Sequence, residues 1–317
     1  MELGILEIGT RENTNSITIV EDILNYATAC DKLGFSRFWL GEHHNSNPVA
    51  PYTNPDILLT IIAGSTEHIR VGSAGTLVTL YAPYSVVTNY KLLNNLFTGR
   101  IDLGLSKGLP GNKHVLTLTG NVTIENSTDV FNNNIKEIHD LLHHEEEHFM
   151  KKELVVPPYN GEIPDVWYLS GSYNYFQDAI NYKYNYCRTI FHGTVGAKID
   201  YKKEELIAYK EQFFDVNGYH PKVSIAVAFH MEDKLQLAEQ EVAKRLSQNP
   251  NLSEAWRIIP VTPESLFALL NEYEDLFGVD EFILYDASLS SEKKMKNIYA
   301  IASKFRLVAP NHLQEAI

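Results

Sequence analysis

Cysteine is scarce: two residues in 317, Cys30 and Cys187. Neither stands in a metal-ligand or redox spacing, so no disulfide framework or cysteine metal site organises this chain. A reduced, cytoplasmic setting is the expectation. No apolar run approaches the ~20 residues that span a bilayer. Met1 to Gly9 carries neither a basic region nor a cleavage pattern, so no signal peptide is expected. Positive charge is also short. The 27 Lys and Arg against 40 Asp and Glu leave a net charge of -13, which argues against nucleic acid or an anionic membrane as the main partner. No low-complexity linker and no composition break divides the chain. No G-x-G-x-x-G follows a strand, so bound NADH is not expected.

What is present is a hydrophobic fraction of 44%, ample for a core, arranged in a repeating order. Short apolar runs at 2–8, 35–40, 70–75, 100–105, 166–169, 186–190, 222–229 and 281–285 read as strands. Segments at 18–33, 54–65, 83–97, 128–145, 175–182, 204–216, 234–246, 264–277 and 292–304 read as helices. In the first helix Ile19, Ile23, Tyr26, Ala27 and Cys30 fall at helical spacing and Gly34 ends it. Asn54-Pro55 opens the second, with Asn as cap and Pro at the first helical position. Strands alternating with helices imply parallel sheet. Eight such units in a chain of this length imply a closed (β/α)8 TIM barrel, one domain over 1–317, with excursions after strands four and seven. The connection 106–126 is too long for an ordinary barrel loop and is read as functional. The stretch 249–262 reads as irregular.

In such a barrel, chemistry sits at the C-terminal strand ends. The second strand runs directly into Glu42-His43-His44, three titratable side chains in a row. If the strand continues, the two histidines point to opposite sides, and His43 is the one expected to face the barrel mouth. His44 is then expected against the wall or a subunit contact. Glu42 either orients His43 or pairs with a basic residue elsewhere.

Three blocks carry a resemblance. They are Glu42-His43-His44-Asn45, then Arg70-Val71-Gly72-Ser73-Ala74-Gly75-Thr76, then Gly99-Arg100-Ile101-Asp102-Leu103-Gly104-Leu105-Ser106-Lys107-Gly108. In their order and spacing they resemble the bacterial luciferase-like flavin monooxygenases. A fourth, Tyr168-Leu169-Ser170-Gly171-Ser172-Tyr173, resembles the family's segment after strand five that holds the flavin phosphate. The likeness covers nearly the whole barrel, most clearly residues 1–120.

The resemblance implies reduced FMN as co-substrate, delivered by a separate flavin reductase. It also implies oxygenation of a small organic substrate by O2 in a water-poor cavity. An aldehyde, an organosulfur compound or a biosynthetic intermediate would serve. His43 becomes the candidate acid/base, with Glu42 and His44 beside it. Ala74, Gly75 and Thr76 would let the flavin ring approach the backbone, and Ala74-Gly75 matches the family's non-proline cis peptide. The same small residues also suit tight packing at a strand end. Ser106 matches the position near the reactive flavin carbon. Lys107 stands where Arg is usual and faces the phosphate, keeping the charge without the bidentate fork. Gly171, Ser172 and Tyr175 would offer backbone N–H groups and a hydroxyl to the phosphate, groups that also serve plain helix capping. Tyr81 and the 108–126 loop are expected to shape the substrate pocket. Leu109-Pro110-Gly111-Asn112-Lys113 lacks the acidic residue that some luciferases carry, so light emission does not follow. The alternatives are a deazaflavin-dependent hydride-transfer oxidoreductase and a non-catalytic flavin-binding protein.

His144-Glu145-Glu146-Glu147-His148 fits the H-E-x-x-H zinc pattern letter for letter. With no apolar residue inside the run, it reads instead as a solvated helix end, and no metal is expected. Helices 54–65 and 83–97 carry apolar residues on more than one face, more than barrel packing needs. This points to a homodimer through them, as the resemblance also implies.

Overall fold

Each of the eight expected strands lies beside the next one around a closed, all-parallel ring. The computed structural model describes residues 1–44, 47–119, 122–192, 198–248 and 256–308. The strands are β1 (Glu2–Glu7), β2 (Arg37–Leu40), β3 (Arg70–Leu77), β4 (Ile101–Ser106), β5 (Asp165–Ser170), β6 (Asn185–Thr189), β7 (Val223–Met231), β8 (Ile258–Val261) and β9 (Glu281–Asp286). The ring runs from β1 to β7 in chain order, passes to β9 and returns to β1. The fold is therefore an α/β TIM barrel.

β8 stands outside the ring of eight and corrects the irregular reading of 249–262, of which 249–255 lie outside the described residues. It pairs with β7 from Ala228↔Ile258 to Met231↔Val261. β6 pairs with the same strand lower down, from Tyr186↔Val223 to Thr189↔Ala226. The excursion after strand seven thus prolongs the wall where β6 has stopped.

The helices are α1 (Ser16–Leu33), α2 (Asp56–Ser65), α3 (Pro83–Leu96), α4 (Lys113–Thr119), α5 (Ser127–His143), α6 (Glu145–Lys152), α7 (Phe176–Tyr182), α8 (Lys203–Asn217), α9 (Leu235–Gln248), α10 (Pro263–Phe277) and α11 (Ser291–Phe305). α1 starts two residues ahead of expectation because Asn15 caps it, its side chain accepting from the N–H groups of Ile17 and Thr18. Its apolar stripe buries Ile19, Ile23, Tyr26, Ala27 and Cys30, and Gly34 closes it at a φ of 86°. Asn54 accepts from the Asp56 N–H at 2.8 Å, placing Pro55 at the cap, one residue before the first helical position. The helix expected over 128–145 is α5, ending at His143; α6 follows it as an unexpected helix, and α4 lies within the long excursion after β4.

Charges plug the barrel at the end opposite the mouth. Asp102 is fully buried. It accepts from Arg37 and Arg70 at 2.6 Å each, from the Trp39 indole at 3.1 Å and from the Trp167 indole at 3.2 Å. Burial pushes its carboxyl pKa up, but the Arg37 and Arg70 charges outweigh burial and hold it below the usual range. Glu281 pairs with Arg37 at 2.6 Å, yet burial prevails there and its pKa is raised.

A second buried cluster ties the end of β1 to α11. Glu7 accepts from the N–H groups of Ile8 and Gly9 at 2.8 and 2.7 Å. Arg11 donates to it at 2.8 and 3.1 Å, and Lys294 at 3.1 Å. Burial raises the Glu7 pKa, but Lys294 and Arg11 overcome it and bring the value down to about 2 from 4.5. A lowered carboxylate pKa stabilises the fold fully above the unfolded value, and that stability is lost as pH falls through the folded value. Acid unfolding is therefore expected to lose roughly 3 kcal/mol from Glu7 between about pH 4.5 and about pH 2. Glu7→Gln should flatten the stability profile over that window in urea titrations. An unchanged slope would sink the assignment.

Candidate functional site

The C-terminal strand ends surround a mostly apolar cavity of about 570 Å³. Glu42, His43 and His44 all lie on its wall. The structure corrects the expectation that His44 faces away. β2 ends at Leu40, and the last ladder bond runs from the Gly41 N–H to the Glu7 carbonyl at 2.9 Å. Beyond it the chain is no longer extended, so the alternation of a strand does not govern residues 43 and 44. Asn45 lies outside the described residues.

Glu42 orients His44, not His43. The carboxylate is 4% exposed. Its Oε1 lies 2.6 Å from His44 Nε2 and accepts from the Tyr81 hydroxyl at 2.5 Å, while Oε2 accepts from the Leu77 N–H at 3.0 Å. An ionised carboxylate only accepts, so it selects the His44 tautomer protonated at Nε2 and leaves Nδ1 as the acceptor. Tyr81 thus holds the carboxylate and is absent from the cavity wall, where Leu109, Pro110 and Gly111 of the long loop do appear. His43 borders this cavity and a second one beside it. Desolvation within the mouth pushes its pKa below the ordinary value; the Glu42 charge pulls the other way and His44 adds to the depression.

One wall of the cavity is bare backbone. The Ala74-Gly75 peptide is cis, and both residues line the space. A Cβ at Gly75 would meet Leu169 Cδ1 at 2.5 Å and the Gly104 carbonyl at 3.0 Å; one at Gly104 would meet the Ser73 carbonyl at 2.2 Å. Glycine at both positions is what lets β3 and β4 close here, and the pairing shifts register between Ser73 and Thr76. Thr76 does not reach the cavity. It is buried in the wall, its hydroxyl donating to Ser73 Oγ at 2.9 Å.

Ser106, Lys107, Gly171 and Tyr175 line the same cavity. Lys107 Nζ donates to the Thr128 hydroxyl at 2.8 Å. Ser172 is the exception. Its hydroxyl accepts from the Asn174 N–H at 3.4 Å and its carbonyl from the Tyr186 hydroxyl at 2.6 Å. Ser170 takes its place on the wall, because the turn after β5 carries Ser172 to the helix side.

Sequence reasoning missed several wall residues. Tyr168 is buried and stacks on Tyr175 at 5.0 Å, and its hydroxyl has no hydrogen-bond partner among the described residues. His192 and Trp256 lie on the opposite side, their rings 5.5 Å apart. Desolvation, with His43 nearby, lowers the His192 pKa. The strand-end rule that singled out Glu42 also reaches His192, three residues past β6; nothing in the sequence marks Trp256. Cys187 lines the cavity as well, its thiol pushed up to about 12 by burial.

The H-E-x-x-H run sits at a helix end and is largely exposed at His144, Glu146 and Glu147, though not throughout. His144 sits at the α5–α6 junction, His148 is buried, and Glu145 pairs with the buried Lys91. Its glutamate is thus held by a lysine, and among the described residues no cluster of three or more His, Cys, Asp or Glu could hold a metal.

The barrel recurs in known proteins. The chain is 35% identical over 163 residues to the uncharacterized protein YwcH of Bacillus subtilis, covering 51% of this chain and 48% of that one. It spans about half the length of the curated relatives it matches. The oxygenating constituent of 3,6-diketocamphane monooxygenase from Pseudomonas putida, solved with FMN, superposes with a TM-score of 0.71 at 15% identity over 99% of each chain. An F420-dependent secondary alcohol dehydrogenase superposes at 0.67 and 11% identity over 95% of this chain and 98% of its own. At those identities the likeness is one of fold. The family model of the luciferase-like monooxygenases matches residues 1–275, and the chain belongs to that family.

Proposed function

We propose that this protein is a flavin-dependent monooxygenase. It uses reduced FMN and O2 to oxygenate a small organic substrate, and a separate reductase supplies the reduced flavin. The observation that carries the reading is the cavity itself. Ala74, Gly75, Lys107 and the Glu42–His44 pair all line it, bringing bare backbone, a cation and a paired imidazole to one space. Family membership supports an oxidoreductase. When bound, reduced FMN supplies the electrons that activate O2.

The chain's own residues then have distinct tasks. The backbone of Ala74 and Gly75 accepts the ring. Lys107, with Ser170, Gly171 and the unpartnered Tyr168 hydroxyl nearby, receives the polar end of the cofactor. The apolar wall limits water. His44, fixed by Glu42, holds or delivers a proton at Nδ1. His43, kept neutral by its surroundings, borders the substrate side.

A deazaflavin-dependent hydride-transfer enzyme is the second reading, favoured by the F420 enzyme that shares the fold. Co-purification and mass identification of the chromophore separate the two. Oxygen uptake with reduced FMN in the presence of substrate is the positive test, and uptake that no substrate alters would leave only flavin binding.

Lys107→Ala is expected to weaken FMN binding tenfold or more while leaving riboflavin binding nearly unchanged. A hydrogen bond to a charged group contributes about 1.5–3 kcal/mol. Ser172→Ala, off the wall, should alter neither. Equal losses for FMN and riboflavin would place the phosphate elsewhere.

The proposed assembly is a homodimer through α2 and α3. Leu58, Ile62, Val86, Val87 and Leu93 pack into the barrel, yet Ile57, Ile61, Leu92 and Leu96 remain exposed, at 77%, 45%, 50% and 61%. Such an apolar face seeks a partner. Light scattering at micromolar concentration should report a dimer, and Leu92→Glu with Leu96→Glu should give a folded monomer. A monomeric parent chain would count against it.

A further inference from the structure

We propose that the second mouth cavity is the substrate compartment, and that the substrate carries an anionic group, a carboxylate or an equivalent oxyanion. This deepens the monooxygenase reading and rests on it.

The cavity measures about 730 Å³ and shares Ile8, His43 and Trp256 with the first one. A molecule held in it would reach His43 from the side away from the proposed flavin slot. Its outer wall is α9, and the stripe that α9 presents is Glu241, Lys244, Arg245 and Gln248. Those positions flank the buried Val242, which lines the same cavity. Here only Ala238 and Val242 of α9 are buried. Glu241, Lys244 and Gln248 stand on the open side of the cavity, and Arg245 is the half-buried cation of this wall.

The inner end offers donors. Ser288 lines the cavity, is 2% exposed, and its hydroxyl has no hydrogen-bond partner among the described residues. A buried hydroxyl left unpaired is unfavourable, so a ligand that pairs with it is favoured. Three residues on, α11 begins. Ser290 caps it by accepting from the Lys293 N–H at 3.3 Å. The N–H groups of Ser291 and Glu292 precede the first carbonyl that an α-helix can offer them. A helix start after the last barrel strand, beside a hydroxyl, suits an anion. The Arg245 guanidinium is held to the same loop by its bond to the Ala287 carbonyl.

The acids on this wall do not compete for that end. Glu232 is bound by Lys293 and lies 3.2 Å from His230. Glu241 faces Lys244 at 3.7 Å, and Glu12 is exposed at the rim. A cationic group would find its carboxylates already paired or out in solvent, whereas an anion finds a hydroxyl, a helix start and a guanidinium together.

The test uses a matched pair of probes, hexanoate and hexanamide, and reads binding by equilibrium dialysis with and without saturating FMN. Hexanoate is expected to bind at least tenfold tighter than hexanamide, equally well with FMN present. Ser288→Ala and Arg245→Gln should each weaken hexanoate several-fold and leave hexanamide and FMN binding unchanged. Equal affinity for the two probes, or full hexanoate affinity in both variants, overturns the proposal. Competition between hexanoate and FMN, with FMN lost in Ser288→Ala, also overturns it by making this the flavin-phosphate end. Wild-type protein that binds hexanoate as expected but no FMN would defeat the flavin reading alone, so the two failures are separable.

Discussion

His44→Ala is expected to fold, bind FMN and lose product formation by ~10²–10⁴, the usual contribution of a positioned proton donor or acceptor. The fold should survive because Glu42 keeps the Leu77 N–H and the Tyr81 hydroxyl when the imidazole goes. Oxygen consumption should continue, with hydrogen peroxide released in place of product. Glu42→Gln retains the side chain's size but no longer selects one His44 tautomer, so a smaller loss is expected. His43→Ala should fall between the variants and wild type, because no described carboxylate hydrogen bond fixes its ring. The measurement is coupled product yield on a substrate that the wild type accepts, at equal reduced-flavin supply. A dead His43→Ala beside an active His44→Ala would return the role to His43. Normal turnover in both would make the turn structural.

The largest stability effect is expected at the opposite end of the barrel. Asp102→Asn keeps the volume but leaves Arg37 and Arg70 facing a neutral group, with Arg37 buried at 3% exposure. Removing one partner of a buried pair costs about 3–5 kcal/mol, since the remaining charge stays desolvated. In a chain this long that is a fall in melting temperature of roughly 5–8 °C. Lys222→Ala is the contrast. It breaks a 2.6 Å pair with Asp165 in which Lys222 is half exposed, and such surface pairs contribute about 0–1 kcal/mol. Calorimetry on the two variants should separate them clearly. FMN binding should be unchanged in Asp102→Asn below its melting range, because the plug lies away from the mouth. Similar small shifts in both would show that the buried network adds little.

The barrel was legible because its causes are local. Continuous apolar runs in the strands, period-3.6 burial in α1 and the Gly34 stop are properties of neighbouring residues. Eight repeats of that alternation leave few ways to close a sheet. The approximate place of the site followed from the same logic, since strand ends in a parallel barrel must meet at one rim. What faced the rim did not follow. His44 turns to Glu42 because β2 stops at Leu40, and strand ends are set by the register of β1 and β3, not by residues 41–44 themselves. Thr76 and Ser172 left the cavity wall through a register shift and a turn that nothing in their own composition encodes. The extra strand β8 forms only because β7 outruns β6 and leaves unpaired backbone to satisfy. His192 and Trp256, 64 positions apart, touch on the wall of one cavity. That second cavity exists because α9 and the start of α11, 43 residues apart in sequence, border one space. Sequence alone determined the repeat and hence the barrel; which side chains share a cavity was decided by non-local packing, where the chain's ends, turns and registers are fixed together.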